Sequence, residues 1–205
     1  MSKENPNQIF PVFDQIINRK DKETLLKQKA KVIWLTGLSG SGKTTLGAAL
    51  EKELYKKGFL TQILDGDNIR SGINKNLKFT EEDRLENIRR ISEVTKLFVN
   101  CGVITINCFI TPTESIRQIA RDIIGEENII EVFVNTPLEV CETRDTKGLY
   151  KKARSGELKN FTGISSPFEV PTHADIDINT SKFSLTESVE KMLKLILVQI
   201  EVKPL

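Results

Sequence analysis

The sequence has few of the residues that build disulfides, zinc sites or membrane spans. Among 205 residues there are three cysteines and a single histidine, His173, which we expect on the surface or in a loop. The cysteine number is odd and no Cys-x-x-Cys occurs, so we expect reduced, partly buried thiols and neither a zinc site nor Cys-His catalysis. The apolar runs are too short for a bilayer, and the polar N-terminus lacks the apolar stretch of a secretory signal. These features predict a cytoplasmic protein.

The net charge is also small. The chain has 30 basic and 28 acidic residues, a formal charge of +2. So weak an overall field does not demand a polyanionic partner, so we expect no nucleic acid and no membrane, and any basic site must be local. The hydrophobic share of 39% and the charged share of 28% are those of an ordinary globular protein with one domain and short extensions.

Short apolar segments alternate with helical patterns along most of the chain. The segments with strand character are residues 31–36, 59–64, 103–109, 129–134 and, more weakly, 174–178. This pattern predicts an α/β fold with a parallel sheet of about five strands, helices on both faces and the fifth strand near an edge. Residues 1–30 fit it poorly. We predict that they form a helical N-terminal extension, with an oligomer contact as the alternative, and that residues 31–205 form the main domain.

Capping signals mark two helices. Thr136, followed by Pro137 and Glu139, predicts an N-cap, a first-turn proline and a capping-box glutamate. Ser184 with Glu187 predicts a capping box for the C-terminal helix. The apolar stripe expected to face the core from that helix is Leu185, Val189, Met192, Ile196 and Ile200. The residues expected to be buried by a long helix at about 81–100 are Leu85, Ile88, Ile91 and Leu97.

A glycine-rich segment follows the first predicted strand. Residues 37–44, Gly-Leu-Ser-Gly-Ser-Gly-Lys-Thr, match G-x-x-x-x-G-K-[ST] and precede a helix predicted to begin near Lys43. The glycines let backbone N–H groups turn inward around phosphate oxygens, and the helix N-terminus favours an anion. Lys43 can reach the β- and γ-phosphates of ATP, and the Thr44 hydroxyl can bind Mg²⁺. A plain glycine-rich turn is the alternative, and the strand–turn–helix context favours a P-loop NTPase fold.

The P-loop alone does not separate a kinase from a GTPase or a motor ATPase. A GTPase should also carry Asn-Lys-x-Asp. The Asn-Lys pair of this chain, Asn74-Lys75, is followed by Asn76 and Leu77 instead, so a GTPase is disfavoured.

Two carboxylates follow the second predicted strand, at the end where open parallel sheets bind ligands. We assign Asp65 to holding Mg²⁺ and its waters and Asp67 to accepting the proton of an incoming hydroxyl. The same segment is also good turn chemistry, and the P-loop upstream favours the functional interpretation.

A cationic wall is predicted beside these carboxylates. Arg84 and Asn87 lie three residues apart and share a helix face, and with Arg70 they could hold phosphate or sulfate oxygens. Taken singly, each residue also suits a solvated helix surface. Phe79 could stack on a base or pack against the helix start.

A basic run at residues 147–156 contains two glycines and lies where small kinases have a lid. A lid closes over ATP and keeps water away from the phosphoryl group. An exposed basic loop and a nucleic-acid patch are the alternatives, and the near-neutral chain disfavours the second.

Several motifs, in this order, resemble those of adenylylsulfate kinase: GLSGSGKTT, LDGDNIR, FTEEDRLENIRRISEV, DTKGLYKKARSGELKNFTGI and SPFE. The resemblance runs from about Lys31 to Thr180. It implies transfer of the γ-phosphate of ATP, with Mg²⁺, to the ribose 3′-hydroxyl of adenosine 5′-phosphosulfate in sulfate assimilation. It also implies a homodimer, and an association with ATP sulfurylase is the one further partner to be considered.

The resemblance implies roles residue by residue. Asp65 and Asp67 fall in its catalytic region, with Lys147 neutralising the transferring phosphoryl group and the lid extending over about 147–162. The nucleotide site falls on Gly37, Ser39, Gly40, Ser41, Gly42, Lys43, Thr44 and Thr45, with Arg144 and Thr180 at the ATP base. The acceptor site falls on Asp67, Arg70, Phe79, Arg84, Asn87, Ile110, Thr111, Lys147 and Phe161, of which Phe161 would stack on adenine.

One departure concerns catalysis. Family members commonly have serine before the proline that follows the third strand, and a phosphoenzyme can form there, whereas this chain has Ile110-Thr111-Pro112. Threonine keeps the hydroxyl but adds a methyl group. Direct in-line transfer is therefore favoured, and Thr111 is kept as a candidate catalytic residue.

Two alternatives stay open from the sequence. One is a P-loop kinase for another small hydroxyl acceptor, such as a nucleoside monophosphate, shikimate or gluconate. The other is a non-catalytic sensor of adenylylsulfate or its product, which the presence of Asp65, Asp67 and Lys147 disfavours.

Overall fold

The computed structural model describes residues 10–202, so the first nine residues of the predicted extension and the last three of the chain lie outside the described part. Within it, five strands form one sheet: β1 Val32–Thr36, β2 Thr61–Asp65, β3 Ile104–Cys108, β4 Ile129–Val134 and β5 Ile176–Ile178. Their order is β2-β3-β1-β4-β5, and every neighbouring pair is parallel. The predicted five-stranded parallel sheet, with its fifth strand at an edge, is confirmed.

Helices cover both faces of the sheet. The α-helices of the described residues are α1 Arg19–Leu26, α2 Lys43–Lys56, α3 Gly66–Ser71, α4 Glu81–Asn100, α5 Glu114–Ile124, α6 Leu138–Arg144, α7 Leu149–Arg154 and α8 Leu185–Ile200. One buried cluster joins Ile33 and Leu35 of β1 to α2 and α8, and the other joins Val32 and Trp34 to α4 and α5. Alternate residues of β1 thus enter opposite cores, which is why its sequence is apolar throughout. No helix within residues 10–202 is both long and apolar enough to cross a membrane.

The helix starts agree with the sequence in one case and differ in the other. Ser184 and Glu187 form the predicted capping box of α8, with the Glu187 backbone N–H donating to Ser184 Oγ over 3.3 Å. Thr136 does not cap α6. Its hydroxyl donates to the Ser41 carbonyl over 3.0 Å instead, and Pro137 occupies the N-cap position without a side-chain bond.

Two leucines expected in the core are exposed. Leu97 is 62% exposed because the buried side of α4 at that point is formed by Thr95 and Val99, its neighbours two positions away. Leu185 is 45% exposed because it is the first residue of α8, one turn before the buried Val189.

The segment from Asn18 to Ala30 packs at the amino-terminal ends of the strands. Arg19 donates to Asn128 Oδ1 over 2.7 Å and to the Ala30 carbonyl over 2.6 Å. Gln28 is fully buried, and its amide donates to the carbonyls of Leu60 and Gly102, just before β2 and β3. The division of the chain at residue 30 stays a prediction.

The three cysteines are free thiols: Cys101 is exposed, whereas Cys108 and Cys141 are buried. His173 is exposed in the loop before β5.

Candidate active site

The carboxyl ends of the strands border a cavity of about 750 Å³. The residues predicted from the sequence that line it are Ser39, Gly40, Gly42, Lys43, Thr44, Thr45, Asp65, Asp67, Arg70, Phe79, Arg84, Asn87, Ile110, Arg144, Lys147, Phe161 and Thr180. Residues from both halves of the chain therefore meet in one place.

The P-loop connects β1 to α2. Gly40 and Gly42 have φ angles of 72° and 105°, which side-chain-bearing residues rarely adopt, and a Cβ on Gly40 would lie 3.1 Å from the Cys141 carbonyl oxygen. Because α2 begins at Lys43, the first backbone N–H groups of the helix lie at this loop without intrahelical partners. This end of α2 is suited to a phosphate.

Lys43 is buried against the same loop. Its ammonium group donates to the carbonyls of Gly37 and Leu38 over 2.9 and 2.7 Å. Burial lowers the pKa of Lys43 to about 8. The lysine is thus held beside the loop in an environment where a phosphate anion would stabilise its charge.

The Ser41 carbonyl ties the P-loop to two other loops. It accepts hydrogen bonds from Thr136 Oγ1 at 3.0 Å, Thr180 Oγ1 at 2.8 Å and the Arg144 guanidinium at 3.3 Å. Arg144 also donates to Thr180 Oγ1 over 2.8 Å. Arg144 and Thr180 therefore lie side by side at one flank of the loop.

Thr44 of α2 and Asp65 at the end of β2 lie next to each other in the cavity. Thr44 Oγ1 donates to Asp65 Oδ2 over 2.7 Å, while Asp65 Oδ1 accepts from the Asp67 backbone N–H over 3.0 Å and so caps α3. The turn interpretation and the functional interpretation of Asp65 are compatible, because each uses a different oxygen. A hydroxyl and a carboxylate oxygen this close fit Mg²⁺, which takes few protein oxygens and completes its shell with phosphate and water.

Asp67 and Lys147 form an ion pair across the cavity. Both side chains are largely exposed, and Asp67 lies in the first turn of α3. The contact joins the acceptor side of the cavity to the start of the predicted lid.

The predicted lid contains α7. Tyr150 on this helix is buried, its hydroxyl donates to the Ser39 carbonyl over 2.9 Å, and its ring meets Phe161 edge-on at a centroid distance of 4.9 Å. Burial raises the pKa of Tyr150, so its hydroxyl stays protonated and can donate. Tyr150 thus joins α7, in the predicted lid, to the P-loop.

Two arginines and an aromatic ring form the opposite wall. The Arg70 guanidinium lies 4.5 Å from the Phe79 ring centroid. Arg84 donates to the Phe79 carbonyl over 3.1 Å, to Thr162 Oγ1 over 2.9 Å and to the Asn160 carbonyl over 2.5 Å. Burial lowers the pKa of both guanidinium groups, which nevertheless stay charged near neutral pH. Arg84 joins α4 to the far end of the predicted lid.

Three predicted residues do not line the cavity. Gly37 and Ser41 contribute backbone carbonyls that bind Lys43 and the neighbouring loops. Thr111 is fully buried, and its hydroxyl donates to Thr36 Oγ1 over 2.7 Å at the end of β1. Thr111 therefore does not line the cavity, and its contact with substrate stays a prediction.

The sequence did not single out several residues of the cavity. Phe109, Leu149, Tyr150 and Phe183 also line it. Leu149 and Tyr150 interrupt the basic run and Phe183 is an aromatic residue in a polar turn just before the Ser184 cap, so apolar residues inside polar segments were the available signals.

Phosphoryl transfer requires a grip on a triphosphate, an acceptor side with a base and a means of excluding water. The P-loop with Lys43, the predicted base Asp67 and the predicted lid surround one cavity of a parallel sheet. Fold and site together define a P-loop kinase.

A family model described as "Adenylylsulphate kinase" matches residues 29–179, and the chain belongs to this family. The adenylyl-sulfate kinase of Bacteroides thetaiotaomicron is 60% identical over 200 residues, which are 98% of this chain and 100% of that protein.

Two solved structures extend the comparison. The Mycobacterium tuberculosis APS kinase CysC, in complex with AMPPNP and APS, matches with a TM-score of 0.79 and 41% identity over 82% of this chain and 98% of that one. A hexameric APS kinase from Thiobacillus denitrificans matches with a TM-score of 0.62 and 26% identity over 84% of this chain and 29% of that one.

Proposed function

We propose that this protein transfers the γ-phosphate of ATP to the 3′-hydroxyl of adenosine 5′-phosphosulfate, giving ADP and 3′-phosphoadenosine 5′-phosphosulfate in sulfate assimilation. The observation that carries the proposal is the convergence in one cavity of the P-loop and the Thr44–Asp65 pair with Asp67 and Arg84. Membership of the family supports the acceptor, as does the relative that binds AMPPNP and APS.

ATP would bind along the P-loop. The backbone amides at the start of α2 and Lys43 hold the β- and γ-phosphates, since a charged phosphate is a stronger acceptor than the loop carbonyls that Lys43 contacts. Arg144 and Thr180 contact the base from the flank of the loop.

Thr44 and Asp65 would hold Mg²⁺, which when bound neutralises charge on the transferring phosphoryl group. Asp65 also keeps α3 in place through its cap, so that Asp67 stays beside the phosphates.

The acceptor would lie against the opposite wall. Arg70, Arg84 and Asn87 hold its phosphosulfate group, and Phe79 and Phe161 flank its adenine. Asp67 accepts the proton of the 3′-hydroxyl, and Lys147, its ion-pair partner, neutralises the moving phosphoryl group. The Thr111 hydroxyl is buried and hydrogen-bonded to Thr36, which disfavours a phosphoenzyme at this residue. Transfer is therefore direct and in-line.

The same proposal includes the organisation of the protein. Residues 31–205 form the kinase domain with a lid at about 147–162, supported by the contacts of Tyr150 and Arg84. The protein is cytoplasmic and a homodimer, and the hexameric relative supports self-association. An association with ATP sulfurylase would make its substrate locally available.

The acceptor is tested by measuring ADP release with adenosine 5′-phosphosulfate beside a nucleoside monophosphate, shikimate and gluconate. We expect efficient turnover only with adenosine 5′-phosphosulfate. Turnover with one of the other acceptors would show that the protein is a kinase with a different substrate. Tight binding of adenosine 5′-phosphosulfate without ADP release would favour a sensor.

The roles of Lys43 and Asp67 are tested by substitution. We expect Lys43→Ala and Asp67→Asn each to lower kcat by about 10²- to 10⁴-fold with the fold intact, because one removes the phosphate contact and the other the base. Asp122→Asn, on the exposed side of α5, is the matched control and should leave kcat unchanged. Full activity in either site variant would contradict the assigned role.

A further inference from the structure

Asn74 is a buried polar residue in an exposed turn. The turn joins α3 to α4, and within residues 71–80 every other residue is exposed or half-buried, whereas Asn74 has no exposed surface. Burying a carboxamide is costly unless its groups are hydrogen-bonded. The contacts of Asn74 therefore have to explain its position.

The side chain of Asn74 contacts Asn87 alone among the described hydrogen-bond partners. Asn74 Nδ2 donates to Asn87 Oδ1 over 3.0 Å and lies 3.5 Å from the Asn87 backbone carbonyl oxygen. Asn74 Oδ1 is buried and has no partner among the described residues, so these contacts satisfy only the amide nitrogen of Asn74.

These contacts fix the orientation of both carboxamides. The Asn87 backbone carbonyl can only accept, so the amide nitrogen of Asn74 must face it. The same nitrogen also donates to the amide oxygen of Asn87. The amide nitrogen of Asn87 has no hydrogen bond within residues 10–202, and Asn87 lines the cavity.

The orientation matters because of the neighbours of Asn87. Arg84 lies one turn earlier on the same face of α4, and Arg70 lines the same wall. An arginine has donors and no acceptor. With its nitrogen toward the cavity, Asn87 completes a wall of donors, whereas the reversed carboxamide would present an oxygen to an anion.

We propose that Asn74 is a positioning residue for the acceptor: it holds the Asn87 carboxamide with its NH₂ group toward the phosphate or sulfate oxygens of the acceptor. This inference rests on the proposed function, because it concerns the acceptor side of that site. Asn74 itself does not line the cavity and acts through Asn87.

The inference is tested with Asn74→Ala, Asn87→Ala and the double variant. We expect Asn74→Ala to raise the KM for adenosine 5′-phosphosulfate about tenfold, the effect of losing one oriented hydrogen bond, with the KM for ATP unchanged. The double variant should equal Asn87→Ala, because the effect of Asn74 passes through Asn87. Asn76→Ala, on the same turn but exposed and bonded to Arg90, is the control and should leave both constants unchanged.

Asn74→Asp is the sharper variant. A carboxylate only accepts, so the Asn87 NH₂ group should turn toward residue 74 and its oxygen toward the cavity. The acceptor KM should rise by more than in Asn74→Ala. If Asn74→Asp does not fold, the alanine series decides.

A second readout does not depend on turnover. In the protein without ligand, the Asn74 side-chain NH₂ protons should be protected from hydrogen exchange. Asn87→Ala should weaken that protection, because it removes the Oδ1 acceptor and leaves only the longer contact with the backbone carbonyl. Undiminished protection in Asn87→Ala, an unchanged acceptor KM in Asn74→Ala or additive effects in the double variant would overturn the inference. If the wild-type protein forms no ADP with adenosine 5′-phosphosulfate, the proposed function fails, and the exchange measurement still decides whether Asn74 orients Asn87.

Discussion

At the scale of single residues, the site contains a buried lysine whose charge can titrate. Lys43 is 8% exposed, and burial lowers its pKa to about 8. A group with this pKa is only partly charged in mildly alkaline solution. The negative charge of a triphosphate would raise the pKa of Lys43, so nucleotide binding and protonation are coupled.

This coupling predicts the pH dependence of nucleotide binding. Below about pH 8, Lys43 is protonated in the free and in the bound protein, and binding moves no proton at this residue. Above about pH 8, binding takes up a proton, so the affinity for Mg·ATP should fall by up to about tenfold per pH unit. Calorimetry in two buffers of different ionisation enthalpy measures the uptake, which should approach one proton at about pH 9.

Lys43→Met is the control for this measurement. It cannot titrate, so its weaker binding should take up no proton at alkaline pH. Uptake that persists in Lys43→Met would assign the proton to another group.

At the scale of elements, local signals were readable from the sequence and long-range contacts were not. The capping box of α8 joins residues three apart, and the sequence predicted it. Thr136 carried an equally good local signal, but its tertiary contact with Ser41 replaced the cap. The contacts of Tyr150 with Ser39 and of Asn74 with Asn87 join segments whose proximity depends on the finished fold, so no local pattern marked them.

The glycine in the middle of α2 is a similar case. Gly47 weakens a helix in isolation, and no sequence pattern assigned it a role. In the fold, a Cβ on Gly47 would lie 2.6 Å from Cys108 Sγ and 3.3 Å from Ile106 Cγ2, so α2 packs against β3 at a distance that only glycine allows.

Gly47→Ala should therefore destabilise the protein although alanine favours helices. The helix-propensity gain of up to about 1 kcal/mol is smaller than the cost of overpacking a buried contact, about 1–3 kcal/mol. We expect a net loss of about 1–2 kcal/mol in the free energy of unfolding, measured by denaturant titration. A fall in kcat should accompany it, because Lys43 and Thr44 lie in the preceding turn of the same helix.

The thiol of Cys108 provides the matched control. Cys108→Ala removes the Sγ atom nearest to the added methyl group, so its cost should be smaller in the Gly47→Ala background than in the wild type. If Cys108→Ala costs the same free energy of unfolding in both backgrounds, the close contact of α2 with β3 is not what disfavours alanine at residue 47.

At the scale of the whole molecule, the cavity and the hydrogen bonds of Gln28 and Arg19 lie at opposite ends of the sheet. The cavity draws residues from the P-loop, α3, α4, the predicted lid and the loop before α8. Gln28 and Arg19 connect chain segments at the amino-terminal ends of the strands. A ligand bound at the carboxyl ends of the strands should thus stabilise the fold without contacting Gln28 or Arg19 at the amino ends.

Mg·ATP should accordingly raise the temperature of unfolding. A ligand at 100 times its Kd stabilises by about 2.7 kcal/mol, which for a chain of this size corresponds to a shift of about 5–10 °C. The shift should shrink when EDTA removes Mg²⁺. It should also lose its dependence on Mg²⁺ in Asp65→Asn, since asparagine still caps α3 but is a weaker metal ligand. Gln28→Ala should lower the unfolding temperature and keep the full shift, because its hydrogen bonds lie at the other end of the sheet. Equal shifts with and without Mg²⁺ in the wild type would remove Thr44 and Asp65 from the metal site and leave them as a structural pair.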